Sequence, residues 1–119
     1  MLVWIGVGVL GGGGAIARSR LDSFVQLRSA GEFPRGTLAV NVLGSFCLGV
    51  LTGAGVSGEA LLLGGTAVLG SFTTFSTWMF ETERLAEEGE DRLAITNIAV
   101  SLVAGLLAAV IGWALGAAL

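Results

Sequence analysis

The stretch GSFTTFSTW, residues 70–78, places five hydroxyl side chains in a segment that is otherwise apolar. A buried hydroxyl without a hydrogen-bond partner costs roughly 1–3 kcal/mol, although Ser and Thr in a helix can donate to a carbonyl one turn earlier. Gly70 and Ser71 precede the run, and such a pair often marks a kink in a helix. Carbonyls freed at membrane depth must be buried or line a cavity. The stretch therefore predicts a broken transmembrane helix beside such a cavity.

The remainder of the chain has the composition of a membrane protein. Of its 119 residues 54% are hydrophobic and only 13% are charged, with a mean hydropathy of +0.87. A soluble domain of this length needs far more charge on its surface. Four apolar stretches fit the roughly 20 residues that cross a bilayer, and we place the spans at residues 2–17, 37–56, 60–80 and 93–119. We expect a single all-α domain of four transmembrane helices in the plasma membrane.

The basic residues are distributed unevenly along the chain. All six are arginines: Arg18, Arg20, Arg28 and Arg35 follow the first span, and Arg84 and Arg92 lie between the third and fourth spans. With four spans, both segments lie on the same side of the membrane. The positive-inside rule places them in the cytoplasm and both termini outside. The net charge of −3 and the absence of a basic stripe argue against a nucleic-acid partner.

Two spans carry polar or small residues four positions apart, which places them on one helix face. They are Thr37, Asn41 and Ser45 in the second span, and Asn97, Ser101 and Gly105 in the fourth. The two stripes either hydrogen-bond the helices to each other or line a wet route, where polar groups in spans usually face. A second set of small residues predicts close helix contacts: Ser45, Gly49 and Gly53, and Gly112 and Gly116. Four short helices enclose little volume, so a route for a polar solute fits better between two subunits.

The third span also holds Phe72 and Phe75 at positions i and i+3. An aromatic ring has a positive edge, so two ring edges beside amide and hydroxyl donors suit a small, partly dehydrated anion. Plain core packing is the alternative for such a pair. The chain has no His and a single cysteine, Cys47, and no nucleophile is paired with a base. An enzyme is therefore not expected.

Three motifs in order resemble those of the Fluc (CrcB) family of fluoride channels. They are GGGGAIAR at residues 11–18, GTLAVNVLGSF at 36–46 and GSFTTFSTW at 70–78. The resemblance covers nearly the whole chain. It implies a passive channel that exports fluoride from the cytoplasm through two pores, which lie along the interface of an antiparallel, dual-topology dimer.

The resemblance also implies roles for particular residues. In the pore, the ring edges of Phe72 and Phe75 would contact fluoride, and Asn41 would donate to the ion and orient the rings. The other pore residues implied are Thr37, Ser76, Asn97 and Ser101. Arg18 and Glu81 would lie at the vestibule. A structural sodium ion at the dimer centre would be held by the backbone carbonyls of Ala67 and Val68.

Three alternatives remain open from the sequence. A proton-coupled small multidrug transporter also has four short spans, but it needs a carboxylate within the membrane and the predicted spans contain none. A purely structural membrane subunit explains the small residues but not the hydroxyls near Asn41. The one-sided arginines leave the second subunit undecided, because they fit either a homodimer or a heterodimer with an oppositely oriented paralogue.

Overall fold

The computed structural model describes residues 1–119, and all its regular elements are helices. The first helix is Leu2–Arg28 and the second is Arg35–Gly53. The third span, Gly58–Glu87, consists of two parts, and the fourth helix is Asp91–Ala117. These 4 helices are long and apolar enough to cross a membrane, which confirms the predicted all-α membrane class with four spans.

The first helix is longer than the membrane span predicted at residues 2–17. It continues to Arg28 because no glycine or proline interrupts the sequence after Gly14. At a rise of about 1.5 Å per residue it is about 40 Å long, against about 30 Å for the hydrocarbon core of a bilayer. Its last turns therefore extend beyond the apolar layer, and there the Arg28 guanidinium lies 3.8 Å from the centre of the Phe24 ring.

The third span is broken, as predicted, but at a later position in the chain. Its first part, helix 3a, covers residues 58–72, and its second part, helix 3b, is Phe75–Glu87. Between them Thr73 and Thr74 are extended, with φ/ψ of −80°/157° and −148°/117°. Gly70 and Ser71, the pair that marked the break in the sequence, lie close to it but are themselves helical.

The position of the break follows from the dihedral angles that it requires. Both extended residues have negative φ, which β-branched Thr adopts readily, so the break needs no glycine. Gly70 keeps helical angles, φ −64° and ψ −36°. The irregularity before it takes the form of a π-helical segment, Leu62–Leu69. Thr74 then caps helix 3b, since its hydroxyl oxygen accepts a hydrogen bond from the Thr77 amide.

The second and fourth helices pack backbone to backbone through glycines. Added Cβ atoms would collide with the opposite helix at all four glycines of the predicted set: Gly49, Gly53, Gly112 and Gly116. For example, a Cβ on Gly112 would meet the Phe46 carbonyl oxygen. The four-residue spacing of small residues therefore gives the close contact that was predicted. Gly14 has the same part in the first helix, where it lies against the Val68 carbonyl of helix 3a.

Large apolar side chains cover the outside of the molecule. Only 16 of 119 residues are buried, and Trp4, Leu106 and Trp113 are 70%, 67% and 56% exposed. Exposing so much apolar surface to water is unfavourable, whereas lipid tails or a second subunit can cover it. The exterior of a single chain is therefore suited to a membrane and to association within it.

Candidate functional site

Asn41 links the second helix to the break in the third span by two hydrogen bonds. Its Nδ2 atom donates to the Thr74 carbonyl at 2.9 Å, and the Thr74 amide donates to Asn41 Oδ1 at 2.8 Å. The side chain thus supplies partners for the amide and the carbonyl of Thr74, two of the backbone groups that lose regular helical partners at the break. A carboxamide has two N–H donors, and only one of them is used here. The other remains free for a solute.

The ring that pairs with Phe75 is Trp78. The two rings meet edge to face, with centroids 5.6 Å apart and an interplanar angle of 81°. Phe75 is 69% exposed, whereas Phe72 is buried at 8%. The expected pairing of Phe72 with Phe75 is not observed, because the i, i+3 relation requires one continuous helix and the break lies between them.

Two grooves open on either side of Trp78. The larger, which we call the break groove, has a volume of about 530 Å³ and is lined by Asn41, Ser45, Thr73, Thr74, Phe75 and Trp78 among others. The smaller, the fourth-helix groove, has about 280 Å³ and is lined by Asn41, Ser45, Trp78, Ser101 and Gly105 among others. No hydrogen bond joins the two predicted polar stripes directly; Ser45, Ser101 and Gly105 instead line the smaller groove. The arrangement favours the wet route over direct bonding between the helices.

Asn97 does not lie in either groove, although it belongs to the fourth-helix stripe. Its side chain is 1% exposed, and its Nδ2 atom donates to the Thr82 hydroxyl at 2.9 Å. Ser101 donates to Asn97 Oδ1 at 3.3 Å. Ser76 is exposed on helix 3b and lines neither described groove. Of the predicted pore residues on the second and fourth helices, the structure brings Asn41 and Ser101 to one groove.

Thr37 and Glu81 form a polar contact near the arginine-bearing end of the molecule. The Thr37 hydroxyl donates to Glu81 Oε1 at 2.7 Å, and Thr37 is 2% exposed. Glu81 also lines a cavity of about 490 Å³ together with Asp22 and Arg84. Arg18 is half-buried and forms no ion pair with Glu81 within the subunit. The two residues expected at the vestibule are therefore not joined in one chain.

The carbonyl oxygens of Ala67 and Val68, expected to hold a structural sodium ion, face the first helix. Val68 O occupies the place of a side chain on Gly14, and Ala67 O lies 3.6 Å from the equivalent point on Gly11. Both oxygens also accept a hydrogen bond from the Ser71 hydroxyl, whose Oγ lies 2.6 Å from the Ala67 oxygen and 3.0 Å from the Val68 oxygen. Within one chain, both carbonyls are therefore in contact with the first helix and Ser71. The sodium ion itself stays a prediction from the resemblance.

Sequence reasoning gave no role in the groove to Trp78. Its signal was available, because it follows Phe75 by three residues within the helix that begins after the break. The i, i+3 spacing and the resemblance pointed to Phe72 instead, which precedes the break. Correct placement of the break therefore decides which aromatic pair reaches the groove.

The chain is similar to proteins from several lineages. The family model described as "CrcB-like protein, Camphor Resistance (CrcB)" matches residues 5–113. A relative from Mycolicibacterium paratuberculosis, named fluoride-specific ion channel FluC 2, is 52% identical over 110 residues, covering 92% of this chain and 90% of the relative. Fluoride-specific ion channel FluC 1 of Symbiobacterium thermophilum is 43% identical over 119 residues, covering 95% and 96%. The FluC 2 protein of Haloarcula marismortui is 46% identical over 107 residues, covering 90% and 87%.

Proposed function

The chain belongs to the CrcB family, and from that premise we propose that it is a multi-pass membrane channel, selective for fluoride, and not an enzyme. Fluoride that enters a cell as its weak acid ionises at cytoplasmic pH and is trapped there. A passive pore lets the anion leave down its electrochemical gradient without ATP. The proposed direction is therefore export from the cytoplasm across the plasma membrane.

The observation that carries the proposal is the set of donors around the break groove. The free Asn41 N–H, the rings of exposed Phe75 and half-buried Trp78, and the N-terminus of helix 3b all lie at this groove. A helix N-terminus carries partial positive charge, and ring edges are also electropositive. Together they offer a dehydrated anion several weak contacts without a full positive charge. Such contacts favour entry and still allow the ion to leave.

Selectivity against chloride would come from the narrowness of the route. A small anion can touch an amide hydrogen and ring edges at the same time, whereas a larger one must push the rings apart. Phe75 and Trp78 restrain each other through their edge-to-face contact, so moving one ring disturbs the other. We therefore assign these two side chains to the anion route.

A second subunit would complete the route. The grooves are open on the surface of one chain, as the 69% exposure of Phe75 indicates. Two subunits in opposite orientations would cover each other's grooves and form two equivalent pores. The second subunit is either another copy of this chain or an oppositely oriented paralogue. The orientation of the chain in the membrane, which its arginines help to set, distinguishes these two possibilities.

The relatives do not favour a proton-coupled multidrug transporter. Such a mechanism needs a titrating carboxylate at the substrate site. Glu81 is the acid nearest to the break, but it lies at the arginine-bearing end and accepts from Thr37. The donor-rich break groove holds no carboxylate. This chemistry suits an anion better than a cationic drug.

Fluoride efflux from liposomes that contain the purified protein tests the proposal. Potassium fluoride is loaded inside the liposomes, and a fluoride electrode measures its release. Valinomycin lets potassium leave with the anion, so no membrane voltage builds up to stop the efflux. We expect rapid fluoride efflux and little chloride efflux from matched vesicles. Well-folded protein that releases no fluoride, or that releases both halides equally, would overturn the proposal.

A further inference from the structure

We infer that Asn97 is a positioning residue that holds Trp78 in the wall between the two grooves, acting through the Thr82 hydroxyl without contacting the ion. The inference rests on the proposed fluoride route, but it gives Asn97 a role outside that route. It also differs from the role that the sequence resemblance implied for Asn97.

Three hydrogen bonds form a closed circuit between helix 3b and the fourth helix. Asn97 Nδ2 donates to Thr82 Oγ1 at 2.9 Å, and this hydroxyl donates to the Trp78 carbonyl at 2.8 Å. The Trp78 indole Nε1 then donates to the Asn97 carbonyl at 3.3 Å. The circuit ties both the backbone and the ring of Trp78 to one residue of the fourth helix.

The orientation of the Asn97 amide is fixed from its other side. Ser101 donates to Oδ1 at 3.3 Å, which directs Nδ2 towards Thr82. Asn97 is 1% exposed and Thr82 is 9% exposed, so water does not compete for these bonds. Loss of one partner would leave a buried polar group unsatisfied, which favours a displaced position of the side chains in the circuit.

The break in the third span explains why helix 3b needs this restraint. Two extended residues separate it from helix 3a, so the preceding helix does not set its rotation. Neighbouring residues on a helix differ by about 100° around its axis, and even a partial rotation would swing Trp78 out of the wall. Asn41 holds the N-terminal end of helix 3b through Thr74. Asn97 holds it at Trp78 and Thr82, one to two turns further along.

The decisive variant is Thr82→Val, because it keeps the shape of Thr82 and removes only the hydroxyl. If Asn97 acts through this hydroxyl, Thr82→Val and Asn97→Leu should both lower fluoride flux, by up to about tenfold, since the loss of one buried hydrogen bond can shift the balance between the placed and displaced Trp78 ring by that factor. They should also lower the ratio of fluoride to chloride flux. A merely structural defect that reduces the amount of folded channel would leave this ratio unchanged.

Two matched variants serve as controls. Thr82→Ser restores the hydroxyl and should recover flux to within about twofold of the unmodified protein. Thr96→Val removes a neighbouring hydroxyl that only donates to the Arg92 carbonyl of its own helix, and it should leave flux and selectivity unchanged. Both variants are compared at equal amounts of folded, reconstituted protein.

Trp78 fluorescence gives a readout that does not require transport. The chain has three tryptophans, so Trp4→Phe with Trp113→Phe leaves Trp78 as the only emitter. In this background Thr82→Val and Asn97→Leu should shift the emission maximum in the same direction, because the ring loses the same restraint. Thr82→Ser should not shift it.

The outcomes separate this inference from the proposed function. If Thr82→Val keeps normal flux, selectivity and emission while Asn97→Leu abolishes flux, Asn97 contacts the ion directly and the inference is wrong. If Thr82→Val does not fold, a double-mutant cycle of Trp78→Phe and Asn97→Leu decides instead. Additive effects of the two substitutions on selectivity would show that Asn97 does not act through Trp78 and would overturn the inference. If the unmodified protein conducts no fluoride, the proposed function fails, and the emission shifts alone still test the circuit.

Discussion

Asn41 and Thr74 exchange two hydrogen bonds across the break, from Asn41 Nδ2 to the Thr74 carbonyl at 2.9 Å and from the Thr74 amide to Asn41 Oδ1 at 2.8 Å. One side chain thereby supplies the donor and the acceptor that a regular helix would have supplied. The contact joins the second helix to the start of helix 3b, and it leaves the second amide hydrogen of Asn41, which lines the groove, without a partner in the chain. Breaking it should therefore affect both the shape of the route and its affinity for an anion.

Asn41→Asp should abolish fluoride transport. The aspartate has no N–H to donate to Thr74, and its negative charge repels both the Thr74 carbonyl and an approaching anion. We expect a loss of at least about tenfold in fluoride efflux from liposomes, the factor that corresponds to one such interaction.

The control for Asn41→Asp is the assembly of the protein in detergent, measured by size-exclusion chromatography with light scattering. We expect it to be unchanged. If the variant falls apart into monomers, Asn41 is a packing residue rather than a residue of the route. Normal efflux would contradict both interpretations.

Phe75→Ile should affect fluoride efflux, whereas Phe72→Ile should affect stability. Phe75 is 69% exposed at the groove, so Phe75→Ile should abolish fluoride efflux with little loss of stability. Phe72 is 8% exposed, and Phe72→Ile should lower the free energy of unfolding by roughly 1–3 kcal/mol. Efflux at equal amounts of folded protein and thermal unfolding in detergent measure the two effects. Loss of efflux in folded Phe72→Ile with normal efflux in Phe75→Ile would reverse the assignment.

Gly112→Val should disrupt the contact between the second and fourth helices. Its Cβ would collide with the Phe46 carbonyl oxygen, so the second and fourth helices would have to move apart. We expect a loss of roughly 2–4 kcal/mol in unfolding free energy, as for other overpacked or strained core positions. Gly12→Ala is the control because nothing lies within 4 Å of its added Cβ. Equal stability of the two variants would show that the close contact is absent in the membrane.

Helix number and the small-residue contacts could be predicted because they depend on local pattern. Span length follows from hydropathy, and the four-residue spacing that brings Gly112 against the second helix is a property of any helix. Apolar length gives the membrane span at residues 2–17 but not the end of the helix, because nothing in the sequence before Arg28 stops the helix from continuing.

The exact position of the break could not be predicted from helix propensity. It depends on Asn41, distant in sequence, which supplies partners for the Thr74 backbone. The same contact determines that Phe75 pairs with Trp78 while Phe72 is buried. The burial of Asn97 likewise depends on Thr82, a hydroxyl that donates within its own helix and gives no separate signal in the sequence.

The two ends of the molecule differ in charge, and this difference leads to the last prediction. All six arginines and eight of the nine acidic residues lie at one end, with Glu59 alone at the other. Arginines set orientation in the membrane, whereas acidic residues contribute little. We therefore expect most copies of the chain to insert with the arginine-bearing end in the cytoplasm when it is expressed alone.

Labelling of single cysteines measures this orientation. In a Cys47→Ser background, Ser57→Cys reports one end and Glu88→Cys the other, and a membrane-impermeant maleimide is added to intact cells. A biased chain should be labelled from outside at Ser57→Cys only, and it should need an oppositely oriented paralogue to conduct fluoride. If both sites are labelled about equally and the purified single chain conducts, the arginine bias is too weak to fix orientation under the positive-inside rule, and the channel is an antiparallel homodimer. A single orientation in a purified chain that conducts fluoride without a second protein would contradict the antiparallel arrangement itself.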